Sequence, residues 1–214
     1  MQLNILSCYD VPNMIGTISK PDLVAVGTNV VIPSVGMGSG TSISAPMVTA
    51  AIACLISAKP SLMTHPEYFI SLLTGTASPV IYDDEAYYNG LESSGFDSKM
   101  GAGSLNIDSA YKNIDKVMWF PVIAGTAANS TYLTRDVTVN GFKQLRVSIA
   151  WLMQNGGSTP SSLSYSDHNI RVKNPYGNIV EIGYLRGKAD STYNTIEIID
   201  TYLFGSGTFK VEFY

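Results

Sequence analysis

The most informative stretch of the chain reads Ser39-Gly40-Thr41-Ser42-Ile43-Ser44-Ala45-Pro46-Met47. An alanine-rich, apolar segment follows it and ends at Lys59-Pro60. These start and stop signals predict a helix over 42–59 that begins at Ser42 and has Pro46 in its first turn. A helix N-terminus offers free N–H groups and a positive dipole end, and glycines in front of it let another backbone come close. Ser42 is therefore a candidate nucleophile, with an ordinary serine N-cap as the alternative.

The same stretch resembles the nucleophile motif of the subtilisin family, Gly-Thr-Ser-x-[Ser/Ala]-x-Pro, at every fixed position. Three further segments resemble that family and occur in its order. They are Lys20-Pro21-Asp22-Leu23-Val24-Ala25-Val26-Gly27, with Val26 where proline is usual, the segment from Lys59-Pro60 through Leu73 to Thr76-Ala77, and Gly101-Ala102-Gly103-Ser104-Leu105-Asn106. On these four segments, which cover residues 20–113, the chain is identified as a member of the subtilisin-like serine proteases.

The resemblance implies a catalytic role for Ser42. Its Oγ would attack the peptide carbonyl, a histidine would accept the proton, and an aspartate would orient the histidine. Because the family's chain order is Asp, His, Ser, we expect the Asp, the His and the oxyanion-hole Asn to lie upstream of this chain. Neither His65, beyond the far end of the helix, nor His168, in the C-terminal part, is expected to replace the catalytic histidine. The isolated chain is therefore expected to be inactive.

The family also implies what the parent protein does. We expect a secreted serine endopeptidase that hydrolyses protein or peptide substrates, in which the missing N-terminal half of the catalytic domain is the partner of this chain. Secretion is inferred from the family alone, since residues 1–6 show no signal-peptide pattern. The alternative is a degenerate protease kept as a non-catalytic binding or structural module. The intact Gly40-Thr41-Ser42 motif favours the enzyme.

Hydrophobic periodicity changes from Trp119 onward, which places the boundary between two expected domains near Lys116. The resemblance implies that residues 1–116 are the C-terminal half of a subtilisin-like catalytic domain, an α/β unit with an incomplete, mostly parallel sheet. Residues 117–214 alternate with a period of two, as in 145–151 and 209–213, and contain regular turn signals. They predict an all-β antiparallel sandwich of jelly-roll type and resemble the sandwich domains that follow many subtilases.

Local patterns give three further expectations. Thr64 and Glu67 have the spacing of a capping box, which predicts a helix that continues to about Leu73, and another short helix is expected over 107–113. The apolar run 45–56 predicts a buried helix of a soluble protein, with Cys54 as a small buried side chain. The sequence does not decide whether Cys8 and Cys54 form a disulfide, because two cysteines alone do not indicate a disulfide framework.

Charge and composition limit the partners. The net charge is −4 and no basic run is present, which argues against nucleic acid. No apolar run reaches the length of about 18 residues typical of a membrane span, so no membrane partner is expected. The acidic cluster Asp83-Asp84-Glu85 carries the oxygen ligands that calcium uses, but its spacing matches no calcium loop and favours a solvated turn. No cofactor is certain from the sequence.

Overall fold

The computed structural model describes residues 21–79, 95, 97, 99–122, 130–152, 168–182 and 195–214. The helices are α1 (Thr41–Ala58), α2 (Glu67–Thr76) and α3 (Ile107–Lys112), with 3₁₀ turns at Pro60–Thr64 and Ile114–Lys116. The strands are β1 (Val30–Ile32), β2 (Gly36–Gly38), β3 (Leu133–Ala150), β4 (Ile170–Lys173), β5 (Ile179–Ile182) and β6 (Ile196–Phe213). The expected helices over 42–59 and 107–113 are present to within one residue at each end. Asp83-Asp84-Glu85 and Cys8 lie outside the described residues.

Helix α1 begins one residue before Ser42, with Gly40 as its cap. The N–H groups of Ile43 and Ser44 donate to the Gly40 carbonyl at 3.0 and 3.3 Å. Pro46 consequently lies inside the helix rather than in its first turn, which corrects the expectation. Because proline has no N–H, it cannot supply the backbone hydrogen bond that the Ser42 carbonyl would receive from residue 46.

The expectation that α1 is buried is wrong. Only Ala51 and Leu55 are buried, while Met47 and Cys54 are exposed and Cys54 is a free thiol. Burial depends on the elements that cover a helix, and among the described residues α1 is covered along one narrow stripe. By length and composition alone α1 could also cross a membrane, with mean hydropathy 1.6, a test that core helices of soluble proteins pass too.

The capping box predicted from Thr64 and Glu67 is also wrong, because its hydrogen bonds are not formed. The Thr64 hydroxyl donates to the Ser61 carbonyl at 3.0 Å and closes the 3₁₀ turn, while Pro66 takes the cap position of α2 without a side-chain bond. Freed from that role, the Glu67 carboxylate accepts from Trp119 Nε1 at 3.1 Å. Helix α2 then continues to Thr76, three residues beyond Leu73.

The strands of the N-terminal part do not form the expected parallel sheet among the described residues. β1 and β2 make an antiparallel hairpin in front of α1. The parallel pairing that is present is a single bridge between Val24 and Ser104. Ser104 also bridges Ser78 in the antiparallel sense, so that segment 101–105 lies between the residues before the hairpin and the end of α2.

The C-terminal part is a four-stranded antiparallel sheet in the order β3-β6-β4-β5. β3 and β6 pair over their whole length, from Leu133 with Phe213 to Ala150 with Ile196. The antiparallel prediction is confirmed, whereas the second layer of the expected sandwich is not found among the described residues.

The alternation in β3 separates two faces with different partners. Leu145, Val147 and Ile149 pack on a core around Ile199 and Val211, as the period of two predicts. The opposite face packs against α2, where Gly75 allows close approach: a Cβ there would lie 3.3 Å from Ser148 Cβ. A small core joins the two parts and contains Ala77, Ala102, Ile196 and Ile198. The boundary at residues 116/117 stays a prediction, but the sequences on either side of it share this core.

Candidate active site

Ser42 lies exposed in the first turn of α1, directly after the β1–β2 hairpin. The turn contains no acidic residue, so no side-chain carboxylate within it offsets the positive end of the helix dipole. Among the described residues, the N–H groups of Thr41 and Ser42 have no acceptor. The Oγ and two free N–H groups therefore occupy one exposed helix end, which is the arrangement that the sequence predicts for a nucleophile.

The position of this helix end is fixed by a contact between two glycines. Gly40 N–H donates to the Gly27 carbonyl at 2.7 Å. A Cβ on Gly27 would lie 2.8 Å from the Gly40 carbonyl oxygen and would overlap the Ser44 hydroxyl. Only glycine allows this approach without movement of the helix start. Residues 20–27, called the Lys-Pro-Asp segment below, are thus joined through Gly27 directly to the Ser42 turn.

A second support holds the hairpin. Ser39 Oγ accepts from the Asn29 N–H at 2.8 Å. Asn29 has a φ of 55°, a conformation that asparagine tolerates better than most residues. The bond therefore secures both ends of the hairpin immediately before the helix.

Segment 101–105 supports the Lys-Pro-Asp segment from the other side. Ala102 N–H donates to the Asp22 carbonyl at 2.8 Å, Val24 N–H to the Gly103 carbonyl at 2.9 Å, and Leu105 N–H to the Val24 carbonyl at 2.7 Å. The two segments that resemble the subtilisin family on either side of Ser42 thus lie side by side. This contact has no local sequence signal other than the glycines that permit it.

A general base for Ser42 is missing among the described residues: no hydrogen bond between them includes its Oγ. His65 lies beyond the opposite end of α1, which spans about 27 Å at 1.5 Å per residue. There its ring stacks on Trp119 at 4.6 Å, and its Nδ1 lies 3.2 Å from a Glu67 carboxylate oxygen. His65 is therefore partly covered rather than a plain surface residue.

His168 lies beside the C-terminal sheet. Its Nδ1 is 3.1 Å from the Tyr132 hydroxyl, and its ring meets the edge of Trp151 at 5.2 Å. Burial raises the pKa of Tyr132, and the negative charge of Glu197 adds to the effect. The phenol thus stays protonated, and this cluster is a packed polar contact of the sheet. His65 lies beyond the opposite end of α1 and His168 beside the C-terminal sheet, and the expectation that neither serves Ser42 stays a prediction.

The described residues also contain no group of three or more His, Cys, Asp or Glu side chains that could hold a metal ion. This finding does not reach Asp83-Asp84-Glu85, which the described ranges leave out. The chemistry available at the described site is therefore that of a hydroxyl and backbone N–H groups.

Comparison with known proteins agrees with the motifs. The model of the subtilase family, Peptidase_S8, matches residues 10–103. The serine protease of Aeromonas sobria aligns with 83% of this chain at 15% identity and a TM-score of 0.33. The complex of that protease with the chaperone ORF2 aligns with 83% at 16% identity and a TM-score of 0.33. A likeness at this level does not define the fold. A search of curated proteins finds no match.

The chain spans only 37% of the length of each of these two solved chains. The family match, by contrast, begins ahead of the Lys-Pro-Asp segment and ends at Gly103, so it contains the Ser42 turn, the Lys-Pro-Asp segment and the first three residues of segment 101–105. Residues 10–103 of this chain, Ser42 among them, therefore match the subtilase family.

Proposed function

We propose that this chain is the nucleophile-bearing part of a secreted subtilisin-like serine endopeptidase, which cleaves protein and peptide substrates through an acyl-enzyme on Ser42. The observation that carries the proposal is the position of Ser42. Within a subtilase-family segment, an intact Gly-Thr-Ser motif places its hydroxyl at an exposed helix N-terminus with free N–H groups.

The site accounts for two of the three functions that the reaction needs. Ser42 Oγ forms the bond to the peptide carbonyl carbon, and the carbonyl oxygen gains negative charge in the tetrahedral intermediate. The free N–H of Ser42, at the positive end of α1, suits that charge. The proton of Ser42 must go to a base, and the described residues offer none. We assign this role to a histidine, oriented by an aspartate, in the part of the parent outside these 214 residues.

The exposed surface of α1 supports a covering partner. Between Met47 and Ala58 the helix leaves apolar side chains in solvent, and the hairpin before it exposes Val31 and Met37 by more than 70%. An apolar helix this long is normally covered on several sides. We propose that the other half of the catalytic domain covers it. The degenerate-protease alternative has no observation in its favour, because the motif is intact.

Labelling of the full-length parent with a fluorophosphonate probe tests the proposal. The parent should be labelled and should degrade unfolded casein, and Ser42→Ala should abolish both. Ser57→Ala, an exposed serine near the other end of α1, is the matched control and should leave both unchanged. Labelling that survives Ser42→Ala would overturn the proposed nucleophile.

The isolated chain provides the second arm. A serine without an adjacent base is a weak nucleophile, so the 214-residue chain should show neither labelling nor cleavage above its Ser42→Ala variant. Labelling that requires Ser42 in the isolated chain would mean that a base lies within this chain or in a second copy of it. The coding sequence upstream should specify an Asp-x-Gly segment, a His-Gly-Thr segment and a distal asparagine.

A further inference from the structure

Arg146 joins the C-terminal sheet to the segments around the active site. It projects from the face of β3 that packs on α2, and its Nη1 donates to a carboxylate oxygen of Asp200 on β6 at 2.8 Å. Both side chains are only 12% exposed. The ion pair holds the guanidinium in one orientation and leaves Nη2 pointing away from the sheet toward the N-terminal part.

Nη2 meets backbone carbonyls of three separate segments. The distances are 2.5 Å to Ala102, 3.2 Å to Thr74 and 3.5 Å to Gly95. The planar guanidinium presents Nη1 to Asp200 and Nη2 to these carbonyls at the same time, whereas a lysine has one nitrogen for both. Arg146 therefore ties the end of α2 and the segment that begins at Gly101 to one side chain of the sheet.

Backbone hydrogen bonds and short chain segments connect Ala102 to the turn of Ser42. The N–H of Ala102 holds Asp22, and Gly103 and Leu105 hold Val24 through backbone hydrogen bonds. Three residues after Val24, the Gly27 carbonyl receives the Gly40 N–H at the start of α1. Every link between the guanidinium and the turn of Ser42 is thus a hydrogen bond or a short run of chain.

Burial of a cation at this place is costly, which bears on its role. Burial lowers the pKa of the Arg146 guanidinium below its usual value, although the negative charge of Asp200 acts in the opposite direction. Among the described residues, the Nε–H of Arg146 has no acceptor. A buried ion pair is weak evidence for stability, since an apolar pair of similar volume often serves as well. Three backbone carbonyls on one guanidinium nitrogen indicate instead that the side chain fixes the relative positions of these segments.

We propose that Arg146 is a positioning residue for the Ser42 turn, acting through Ala102 and the Asp22–Gly27 segment. The inference rests on the proposed function only in naming Ser42 as the nucleophile. The physical coupling itself does not depend on that role. It gives the C-terminal sheet a role at the active site, although no hydrogen bond between the described residues joins the sheet to Ser42 directly.

Backbone amide hydrogen exchange on the 214-residue chain tests the coupling. In Arg146→Lys the charge near Asp200 is kept and the contacts with the carbonyls are lost. We expect the amides of Val24, Gly40, Ala102 and Leu105 to exchange about ten- to a hundredfold faster, the range for one lost hydrogen bond to a charged group. Amides of β6 that pair with the far end of β3, such as Phe209, should change by less than about threefold.

Arg171→Lys is the matched control. Arg171 is a comparably covered arginine of the same sheet, 19% exposed, with a carboxylate partner, Glu212, at 2.7 Å. Its hydrogen bonds go to Glu212 and Thr131 and reach no residue of segment 101–105. This variant should speed exchange in β4 and β6 and leave Val24, Gly40 and Ala102 as they are. Asp200→Asn, a milder change that loosens the anchor of Arg146, should affect the same amides as Arg146→Lys but less, and it serves if Arg146→Lys does not fold.

The outcomes separate cleanly. Unchanged exchange at Val24 and Gly40 in folded Arg146→Lys, or an equal rise at these amides and throughout β6, would overturn the positioning role and leave Arg146 as a general stabiliser. Because exchange is read at backbone amides, the result stands whether or not Ser42 is the nucleophile. A failed fluorophosphonate experiment would therefore refute the proposed function without touching this inference.

Discussion

Replacement of Gly101 by alanine should be one of the most damaging small changes in the chain. Gly101 is buried and has a φ of +62°. It also exchanges two hydrogen bonds with Asp97, at 2.7 and 2.8 Å. An added Cβ would lie 2.5 Å from the Asp22 carbonyl oxygen and 2.6 Å from its carbonyl carbon, and it would overlap the Pro21 carbonyl as well. These are backbone atoms that cannot rotate away.

The magnitude follows from two effects. A non-glycine residue in the left-handed region costs about 1–2 kcal/mol. Forcing a methyl group into a packed site adds about 1–3 kcal/mol. Gly101→Ala should therefore lower the free energy of unfolding by about 2–5 kcal/mol, a large part of the stability of an ordinary domain.

Gly177→Ala isolates the first effect. Gly177 has a φ of +86°, but a Cβ there would meet nothing within 4 Å. Its cost should be the conformational one alone, about 1–2 kcal/mol. Urea unfolding followed by the fluorescence of Trp119 and Trp151 measures both variants. A Gly101→Ala chain as stable as Gly177→Ala would refute the claim that segment 101–105 is pressed against the Lys-Pro-Asp segment.

Three other changes test separate parts of the structure. Cys54 should react with a maleimide in the native chain, in a Cys8→Ser background, at a rate close to that in urea, because its side chain is exposed; strong native protection would show that α1 is covered. Leu55→Ala should cost about 2–5 kcal/mol, since Leu55 is 1% exposed among apolar neighbours, and a cost below that of an exposed substitution such as Met63→Ala would contradict this packing. Burial acts to raise the pKa of Glu212, but hydrogen bonds from Lys173 and Arg171 lower it below its usual value. A lowered carboxyl pKa gives stability that is present above the unfolded value of about 4.3 and is lost as pH falls through the folded one. Glu212→Gln should therefore cost about 1–3 kcal/mol at pH 7 and progressively less as the pH falls below the unfolded carboxyl value, and a cost that does not change with pH would argue against the charged pair.

Local signals in the sequence predicted the start and end of α1 well. Ser42, one residue after the observed start, and Lys59-Pro60 at the end are signals that act on the backbone next to them, so their effect does not depend on the rest of the fold. The Thr64 capping box failed although it is equally local. Helix α2 begins at Glu67 with Pro66 as its cap, so Thr64 lies two residues too early to cap it, and its hydroxyl donates to the Ser61 carbonyl instead. Spacing alone cannot choose between competing partners.

The errors in burial have a different origin. The apolar surface of α1 has the same sequence whether or not another element covers it, and the exposure of Cys54 was therefore not predictable. Alternation correctly assigned Leu145 and Val147 to one face of β3. It could not show that Arg146, on the other face, meets carbonyls from residues 74 to 102, because those contacts join distant parts of the chain.

The position of β6 determines when the sheet can form. β6 is the last of the four strands along the chain, yet it lies between β3 and β4 and pairs with both. During synthesis, β3, β4 and β5 leave the ribosome before β6, the strand that joins β3 to β4, and among the described strands β3 pairs with β6 alone. Every pairing of β3 with β6 closes a long loop of chain, and even the pair closest in sequence is Ala150 with Ile196. Because closing long loops costs entropy before the contacts form, the sheet should assemble late and slowly. Until then β3 exposes an unpaired edge, which makes the incomplete sheet a site for aggregation.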